Sequence, residues 1–293
     1  MRALLIVNPF STNVTEDRLG EIQGVLGPER TVLTERPGHA TELAAEAGAL
    51  DAIVVYGGDG SANEVLNGLP TDLPVGFLPG GGANVLARGL GLPRDPVAAA
   101  RQVRDALDGA RTRRISLGRV NCRRFGFSAG IGLDAELVRR VDELGRAADG
   151  RRPGDVAYIR AALAVLATRR ARFDPALELH GFGRAAFALV ANGDPYTYAG
   201  ALPVRVAPEA RFELGLDVVA PAEVGPLDVP RLLRYILTGR GQAGAADVYY
   251  GHDLDRIEVT CDRPLPLQAD GEDLGDVERA VFEAERSAVS VLI

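Results

Sequence analysis

The chain has 293 residues, of which 46% are hydrophobic and 25% are charged, and its formal net charge is −7. At ~100–200 residues per domain this length predicts two domains, and the acidic balance disfavours nucleic-acid binding. All 33 basic residues are arginine. The absence of lysine excludes nucleoside triphosphatases with a Walker A loop, protein kinases and pyridoxal enzymes, because each of these needs a lysine at its reactive centre.

The first hundred residues alternate between predicted strands and predicted helices. Strands are predicted at 3–7, 30–34, 52–56 and 75–78, and helices at 15–26, 39–50, 61–69, 83–90 and 95–107. This alternation predicts a parallel sheet with helices on both faces, in which ligands bind at the carboxyl ends of the strands.

From residue 115 onward strands dominate. A hairpin is predicted at 115–128, helical stretches at 133–144, 155–172 and 230–238, and strands at 177–180, 185–192, 203–207, 215–220, 247–250, 256–261, 265–268 and 277–282. The pattern predicts a mostly antiparallel β domain, a β-sandwich or an open barrel. We therefore divide the chain into an α/β domain at 1–125 and a β-rich domain at 126–286 with a helical insertion near 133–172; whether strand 287–293 returns to the first domain is left open.

Two glycine-rich turns follow predicted strands of the first domain and precede helices. The first is Gly57-Gly58-Asp59-Gly60, and the second is Gly80-Gly81-Gly82. Backbone N–H groups and the helix dipole at such turns bind phosphate, so two turns on one sheet edge predict a polyphosphate ligand. We also expect a positive φ at Gly58, which a valine there would resist. The dinucleotide-binding fingerprint is not matched, because the third glycine is missing.

In the second domain, Asp270-Gly271-Glu272 is predicted at the tip of a hairpin. A carboxylate on such a loop can act as a base or hold a metal during phosphoryl transfer, although Asp-Gly is also a common hairpin turn. A second acid, Asp134, follows Ser128-Ala-Gly-Ile-Gly132 and is equally well explained as a residue near a helix N-terminus.

Arginines cluster between residues 139 and 172, at Arg139, Arg140, Arg146, Arg151, Arg152, Arg160, Arg169, Arg170 and Arg172. We favour a solvated helix face over a surface for anionic lipid. No run of ~20 apolar residues is present, so membrane contact is expected to be peripheral.

Together these segments resemble the bacterial diacylglycerol kinase family, lipid kinases that include sphingosine and ceramide kinases. The matching pieces are Val7-Asn8-Pro9, Thr34 to Ala40, Gly57 to Glu64, Pro79-Gly80-Gly81, Ala129 to Ala135 and Asp270-Gly271-Glu272. The resemblance implies an α/β domain like that of NAD kinase and phosphofructokinase, followed by a β-sandwich. It implies a cytoplasmic enzyme of phospholipid biosynthesis that contacts the inner face of the membrane and phosphorylates a diacylglycerol-like lipid.

The resemblance also implies roles for particular residues, with ATP and Mg²⁺ as cofactors. Asp59 and Glu272 would be catalytic, with Glu272 as general base, and no metal ligand is assigned. The residues implied to line ATP are Asn8, Pro9, Thr34, Gly57, Gly58, Asp59, Gly60, Ser61, Asn63, Glu64, Gly81, Gly82 and Glu272. The chain departs from the family pattern at Val85, at Ser116 and in the metal loop from Glu213 to Asp217.

Two alternatives stay open beside a lipid kinase. One is a NAD kinase-like enzyme, which the direct continuation from the glycine turn to Asn63-Glu64 disfavours. The other is a catalytically weak lipid- or nucleotide-binding regulator, for which the changes at Val85 and Ser116 are the only support. The identity of the lipid and the formation of a homodimer are also left open.

Overall fold

The computed structural model describes residues 2–48, 50–70, 73–143 and 155–293, with residues 155–159 described by their backbone only. The chain forms two compact units. The first consists of Met1–Ser116 with Arg286–Ile293, and the second is Leu117–Glu285. The domain boundary predicted at residue 125 lies later in the chain than this division.

The first unit contains a parallel sheet, as predicted. Its strands are β1 (Ala3–Val7), β2 (Arg30–Leu33), β3 (Ala52–Gly57) and β4 (Val75–Pro79), in the spatial order β4-β3-β1-β2. Its helices are α1 (Glu16–Leu26), α2 (His39–Ala45), α3 (Asp59–Gly68), α4 (Val85–Gly89) and α5 (Pro96–Asp108). Every residue of β1, β3 and β4 is buried, as expected of strands covered on both faces.

The bounds of two helices in this unit have clear local causes. Helix α5 begins at Pro96, and the Asp95 carboxylate accepts a hydrogen bond from Ala98 N at 2.9 Å. Both are signals for a helix start, and the helix predicted to begin at residue 95 is confirmed. Helix α3 begins at Asp59 instead of Ser61. Asp59 and Gly60 therefore belong to the helix, and the turn before it is shorter than predicted.

The second unit is dominated by antiparallel strands. Its helices are α6 (Leu133–Glu143), α7 (Asp155–Thr168) and α8 (Val229–Thr238). Its strands, counting β5 and β16 that continue into the first unit, are β5 (Thr112–Val120), β6 (Arg123–Phe125), β7 (Ser128–Ile131), β8 (Leu177–Leu179), β9 (Gly183–Ala185), β10 (Ala188–Ala191), β11 (Thr197–Ala199), β12 (Leu202–Val204), β13 (Leu216–Pro221), β14 (Val248–Leu254), β15 (Arg256–Ala269) and β16 (Glu272–Leu292).

Strands of this unit run in the spatial order β14-β13-β10-β7-β15-β16, with β8 also paired to β15. Strands β11 and β12 form a separate two-stranded sheet. The apolar side chains between the strands form a core that includes Phe125, Leu216 and Phe282. In the described parts of the chain, no helix is both long enough and apolar enough to cross a bilayer.

Two pairs of predicted strands are continuous in the structure. The segments 256–261 and 265–268 both belong to β15, whose pairing with β16 shifts register between Thr260 and Leu265. The segments 277–282 and 287–293 both belong to β16, which ends in the first unit, where Val291 pairs with Val75. The breaks predicted between these strands were wrong. Charged residues lie within β16 in ion pairs, such as Glu283 with Arg119.

Candidate active site

The two glycine turns of the first unit lie against each other. Gly57 at the end of β3 pairs with Pro79 at the end of β4, and Gly80 N donates to Gly57 O at 2.7 Å. A Cβ atom at Gly81 would lie only 2.7 Å from Gly58 Cα. The two turns therefore meet backbone to backbone, which leaves no room for a side chain at Gly81.

The expectation of a positive φ at Gly58 was wrong. Its φ is −93° and its ψ is −174°, an extended conformation that any residue adopts. A Cβ at this position would lie 3.3 Å from Gly81 Cα. Gly58 is therefore favoured by the close approach of the second turn, and not by the backbone conformation of the first.

The second turn is held by asparagine side chains. Asn84, with φ of 49°, accepts from Gly81 N at 2.8 Å and donates to Gly81 O at 2.7 Å. Asn13 Nδ2 also donates to Gly81 O, at 2.7 Å. The N–H groups of Gly80 and Gly81 are thus already bonded within the protein. The N-terminal N–H groups of α3, which have no acceptor inside the helix, are better placed to donate to a phosphate.

Asp59 is the first residue of α3, and its Oδ1 accepts from Leu86 N in the first turn of α4 at 3.1 Å. The carboxylate therefore fixes one helix start against another. The space beside it measures about 10 Å³, room for about one water molecule, and is lined in part by Gly57, Gly58 and Asn84. A nucleotide bound at these turns would lie over them and not in a closed pocket.

Other predicted residues follow the carboxyl ends of β1 and β2. Asn8 Nδ2 donates to Ser61 Oγ at 2.9 Å, which ties the loop after β1 to α3. Pro9 is exposed in the same loop, and Thr34 is 7% exposed with its N donating to Val7 O at 2.8 Å. The sheet edge thus carries Asn8, Pro9, Thr34 and Ser61 beside the glycine turns.

Asn63 and Glu64 have partners inside the unit. Asn63 is 1% exposed, and its Oδ1 accepts from Asn67 Nδ2 at 3.1 Å. Glu64 Oε2 accepts from Ala40 N at 3.1 Å, near the start of α2, whose N-cap residue is a glycine without a capping side chain. The structure therefore gives both side chains a role in supporting helices, and their contact with ATP stays a prediction.

In the second unit, Asp270 and Gly271 form the turn between β15 and β16, and Glu272 is the first residue of β16. Glu272 Oε2 accepts from Arg123 Nη2 at 2.6 Å, and both side chains are about one-third exposed. The hairpin tip predicted for this segment is confirmed. Of its two carboxylates, the one on Glu272 is more open to solvent.

The Asp270 carboxylate is occupied by the backbone. It accepts from Gly126 N at 2.6 Å, from Phe127 N at 3.0 Å and from Ser128 N at 3.2 Å. The residue is 5% exposed and has φ of 48°. Asp270 therefore holds the loop before β7 in place, and Glu272 is the more solvent-exposed acid of Asp270-Gly271-Glu272.

A buried polar network, which the sequence did not indicate, supports the same hairpin. Gln268 Oε1 accepts from Gly271 N at 2.9 Å, and Gln268 Nε2 donates at 2.5 Å to Asp134 Oδ2. Tyr196 OH donates to the same oxygen at 2.6 Å. A Cβ at Gly130 would lie 2.8 Å from this oxygen. A side chain at position 130 would therefore crowd the Asp134 carboxylate, which explains why a glycine is found there. No local pattern reveals the network, because its members come from distant parts of the chain.

Burial raises the pKa of Asp134, and the hydrogen bonds from Tyr196 and Gln268 only partly oppose this effect. A carboxyl whose pKa is raised by folding stabilises the fold fully below its unfolded pKa and loses that contribution as the pH rises. We expect the melting temperature of Asp134→Asn, relative to the unchanged protein, to increase as the pH rises from 4 to 8. Asparagine keeps the acceptor for Tyr196 but cannot ionise. Melting curves across this range would contradict the expectation if the difference stayed constant.

The described residues contain no group of three or more His, Cys, Asp or Glu side chains arranged to hold a metal. Asp217, the last residue of the segment in which the family pattern places a metal, lies in β13 and is fully buried. Its carboxylate lies 2.9 Å from His252 Nδ1 and accepts from Tyr250 OH at 3.2 Å and from Asp253 N at 3.1 Å. Protein groups therefore already satisfy the Asp217 carboxylate.

Two family models together match nearly the whole chain. Residues 2–120 match the diacylglycerol kinase catalytic domain, and residues 128–293 match the YegS C-terminal NAD kinase β-sandwich-like domain. The chain belongs to the diacylglycerol kinase family. Membership confirms the resemblance and the fold class predicted from the sequence, an α/β domain followed by an antiparallel β-sandwich.

Among curated relatives in this family, a diacylglycerol kinase of Bacillus subtilis is 40% identical over 116 residues, which cover 38% of this chain and 37% of that protein. A diacylglycerol kinase of Mycobacterium tuberculosis is 38% identical over 108 residues, 34% of each chain. The chain spans half or less of the length of the curated relatives it matches.

Two solved structures share the fold along nearly the whole chain. A diacylglycerol kinase from Bacillus anthracis has a TM-score of 0.72 at 19% identity, and covers 99% of this chain and 96% of its own. An NAD kinase from Archaeoglobus fulgidus has a TM-score of 0.52 at 14% identity, with 100% and 94% covered. At these identities the likeness concerns the fold alone.

Proposed function

We propose that the protein is an ATP-dependent lipid kinase that transfers the γ-phosphoryl group of ATP to a hydroxyl group of a diacylglycerol-like lipid. The observation that carries the proposal is the pair of backbone-packed glycine turns beside the N-terminus of α3, with Asp59 at its first position. Such a helix start offers several N–H donors to phosphate without needing lysine. Membership in the diacylglycerol kinase family supports a lipid as the acceptor.

In this proposal the two acids have different roles. Glu272 accepts the proton of the lipid hydroxyl while that oxygen attacks the γ-phosphorus, and ADP leaves with the electrons of the broken P–O bond. The N-terminal N–H groups of α3 hold the phosphates. Asp59 supplies the carboxylate at the turns.

The donor set at the turns suits magnesium delivered with ATP. Mg²⁺ in nucleotide enzymes is commonly bound by one or two carboxylates together with substrate phosphates, so the single carboxylate of Asp59 fits this pattern. When bound, Mg²⁺ neutralises charge on the phosphates. Asp59 would then hold the ion while it remains hydrogen-bonded to Leu86 N.

Labelled ATP distinguishes this proposal from its alternatives. The purified protein is incubated with Mg²⁺, ATP and vesicles that contain diacylglycerol, and in parallel with NAD as acceptor. Labelled phosphatidic acid supports the proposal. Labelled NADP would make the protein an NAD kinase, and ATP binding without any transfer would make it a regulator.

Asp59→Asn is expected to lower turnover roughly 10²–10³-fold, the usual loss when one charge-stabilising group is removed. Asparagine keeps an oxygen that accepts from Leu86 N, so the melting temperature should hardly change. Asp59→Ala removes that acceptor as well and should cost an additional ~1–3 kcal/mol of stability. The matched control is Asp95→Asn, since Asp95 also accepts a backbone N–H at a helix start. Equal turnover of Asp59→Asn and Asp95→Asn would reduce Asp59 to a structural residue.

A further inference from the structure

Helix α8 of the second unit presents leucines to solvent on one side. Its inner side carries the buried Tyr235, together with Leu232 and Ile236, which pack against the core of the unit. Its outer side carries Leu233, which is 49% exposed, and Leu237, which is 41% exposed. The apolar surface of this helix therefore extends beyond the part that the core covers.

Two neighbouring segments add further exposed leucines. Leu227, in the segment before α8, is 93% exposed, and Leu202 at the start of β12 is 51% exposed. The segment after β12 is tied to α8, because Arg205 N donates to Ile236 O at 2.7 Å. These leucines and two nearby arginines form what we call the α8 surface, which consists of the exposed residues Leu202, Leu227, Leu233, Arg234, Leu237 and Arg240.

The charge of this surface is positive, although the whole chain is acidic. Residues 226–241 contain three arginines and a single carboxylate, Asp228. Arg231 is neutralised by Asp228 and Asp247. Within the ranges that the structure describes, Arg234 and Arg240 have no carboxylate partner, and Arg234 lies 5.6 Å from the centre of the Tyr235 ring.

We propose that the α8 surface docks on an anionic lipid bilayer. An amphipathic helix with arginines beside an exposed apolar stripe binds in the plane of a membrane interface, where its leucines enter the acyl boundary and its arginines meet anionic headgroups. Because the whole chain has a net charge of −7, anionic headgroups repel most of its surface. The positive α8 surface is therefore the face expected to turn toward the membrane. The proposal rests on the proposed lipid kinase function, which needs access to lipid.

A second copy of this chain is a poorer occupant of the surface. A two-fold interface brings the same patch of both subunits together, so unpaired arginines would face each other across it. Anionic headgroups instead offer charge opposite to that of Arg234 and Arg240. Charge complementarity therefore favours the bilayer.

The arginine cluster predicted from the sequence is a weaker candidate for membrane contact. Arg139 pairs with Asp273 and Asp276, while Arg140 and Arg169 both pair with Glu136. Arg146, Arg151 and Arg152 lie outside the described residues. Helix α7 nevertheless carries an exposed arginine and leucine three positions apart, Arg160 and Leu163, the same spacing as Arg234 and Leu237.

These two pairs allow a matched test. Arg234→Glu combined with Leu237→Asp changes the α8 surface, and Arg160→Glu combined with Leu163→Asp makes the same change on α7. Sedimentation with vesicles of phosphatidylcholine alone, or with 30% phosphatidylglycerol, measures binding without ATP. We expect the unchanged protein to prefer the anionic vesicles and to lose that preference at high salt. The α8 variant should bind them at least about 20-fold more weakly, because losing Arg234 costs about fivefold and the new glutamate is repelled by about the same factor.

The α7 variant should bind within about twofold of the unchanged protein. Because Leu227 is 93% exposed, Leu227→Ser should fold like the unchanged protein, with the same melting temperature. It should weaken binding about threefold or more, because a leucine that enters the membrane interface is lost. Unimpaired binding by the α8 variant, loss of binding in the α7 variant, or no vesicle binding by the unchanged protein would overturn the proposal. So would a shift from dimer to monomer in the α8 variant with vesicle binding intact. Vesicle binding without lipid phosphorylation would defeat the kinase proposal alone.

Discussion

Replacing Glu272 with glutamine is expected to lower turnover roughly 10²–10⁴-fold, the usual contribution of a general base. Glutamine has nearly the same size and keeps an oxygen that can accept from Arg123 Nη2, which now contacts Glu272 Oε2 at 2.6 Å. It cannot accept the proton of the lipid hydroxyl. ATP affinity and the position of β16 should therefore hardly change while catalysis is lost.

The neighbouring residue provides the control for this substitution. Asp273 also forms an ion pair, through Arg139 Nε at 2.8 Å, and it follows Glu272 directly on β16. Partly exposed ion pairs contribute about 0–1 kcal/mol, so Glu272→Gln and Asp273→Asn should have similar, small effects on the melting temperature. Only Glu272→Gln should reduce turnover. A parallel loss in both variants would mean that the ion pairs of this hairpin matter and a base does not.

Measuring ATP affinity on the same preparations separates the remaining roles of Glu272. If ATP binding falls together with turnover, Glu272 acts on the nucleotide. If turnover is unchanged, the carboxylate only anchors the hairpin through Arg123. Loss of turnover with retained ATP affinity is the result that supports the base.

Gly81→Ala is expected to weaken ATP binding at least tenfold and to lower the melting temperature by several degrees. Its Cβ would lie 2.7 Å from Gly58 Cα, a distance that real Cβ contacts do not show. The contact is between backbone atoms, so no side chain can rotate away and the two turns must separate. Overpacking of this kind typically costs about 1–3 kcal/mol. Gly58→Ala is a milder probe, because the φ of Gly58 is negative and its Cβ would lie 3.3 Å from Gly81 Cα.

Gly82 in the same turn is the matched control, since a Cβ there would meet no atom within 4 Å. Titration of ATP and calorimetric melting of Gly81→Ala and Gly82→Ala separate packing from ligand contact. Gly82→Ala should melt like the unchanged protein. Lower ATP affinity at an unchanged melting temperature would indicate that phosphate lies against Gly82. Identical melting of both variants would contradict the argument from the 2.7 Å contact.

The sequence correctly predicted the strands, helix starts and turns that are determined by residues close together in the chain. The apolar strands of the first unit, the Asp95-Pro96 helix start and the hairpin tip before Glu272 are all in the structure. Each depends on neighbours in sequence: a run of buried residues, a capping side chain, or a turn that only certain residues adopt. Long strands were predicted in pieces, because the ion pairs that let charged residues lie within β16 join segments more than a hundred residues apart.

By itself the sequence determined where the glycine turns, the Asp270-Gly271-Glu272 hairpin and helix α8 would lie, because spacing and periodicity encode them. Only the tertiary structure decided which of their side chains are already engaged. In the structure, the Asp59 carboxylate accepts from Leu86 N, and the Glu64 carboxylate accepts from Ala40 N. The Asp270 carboxylate accepts from three backbone N–H groups. A hydrogen bond depends on distance in space, and its partner can come from any part of the chain. The same reason explains why only packing showed which leucines of α8 remain outside the core.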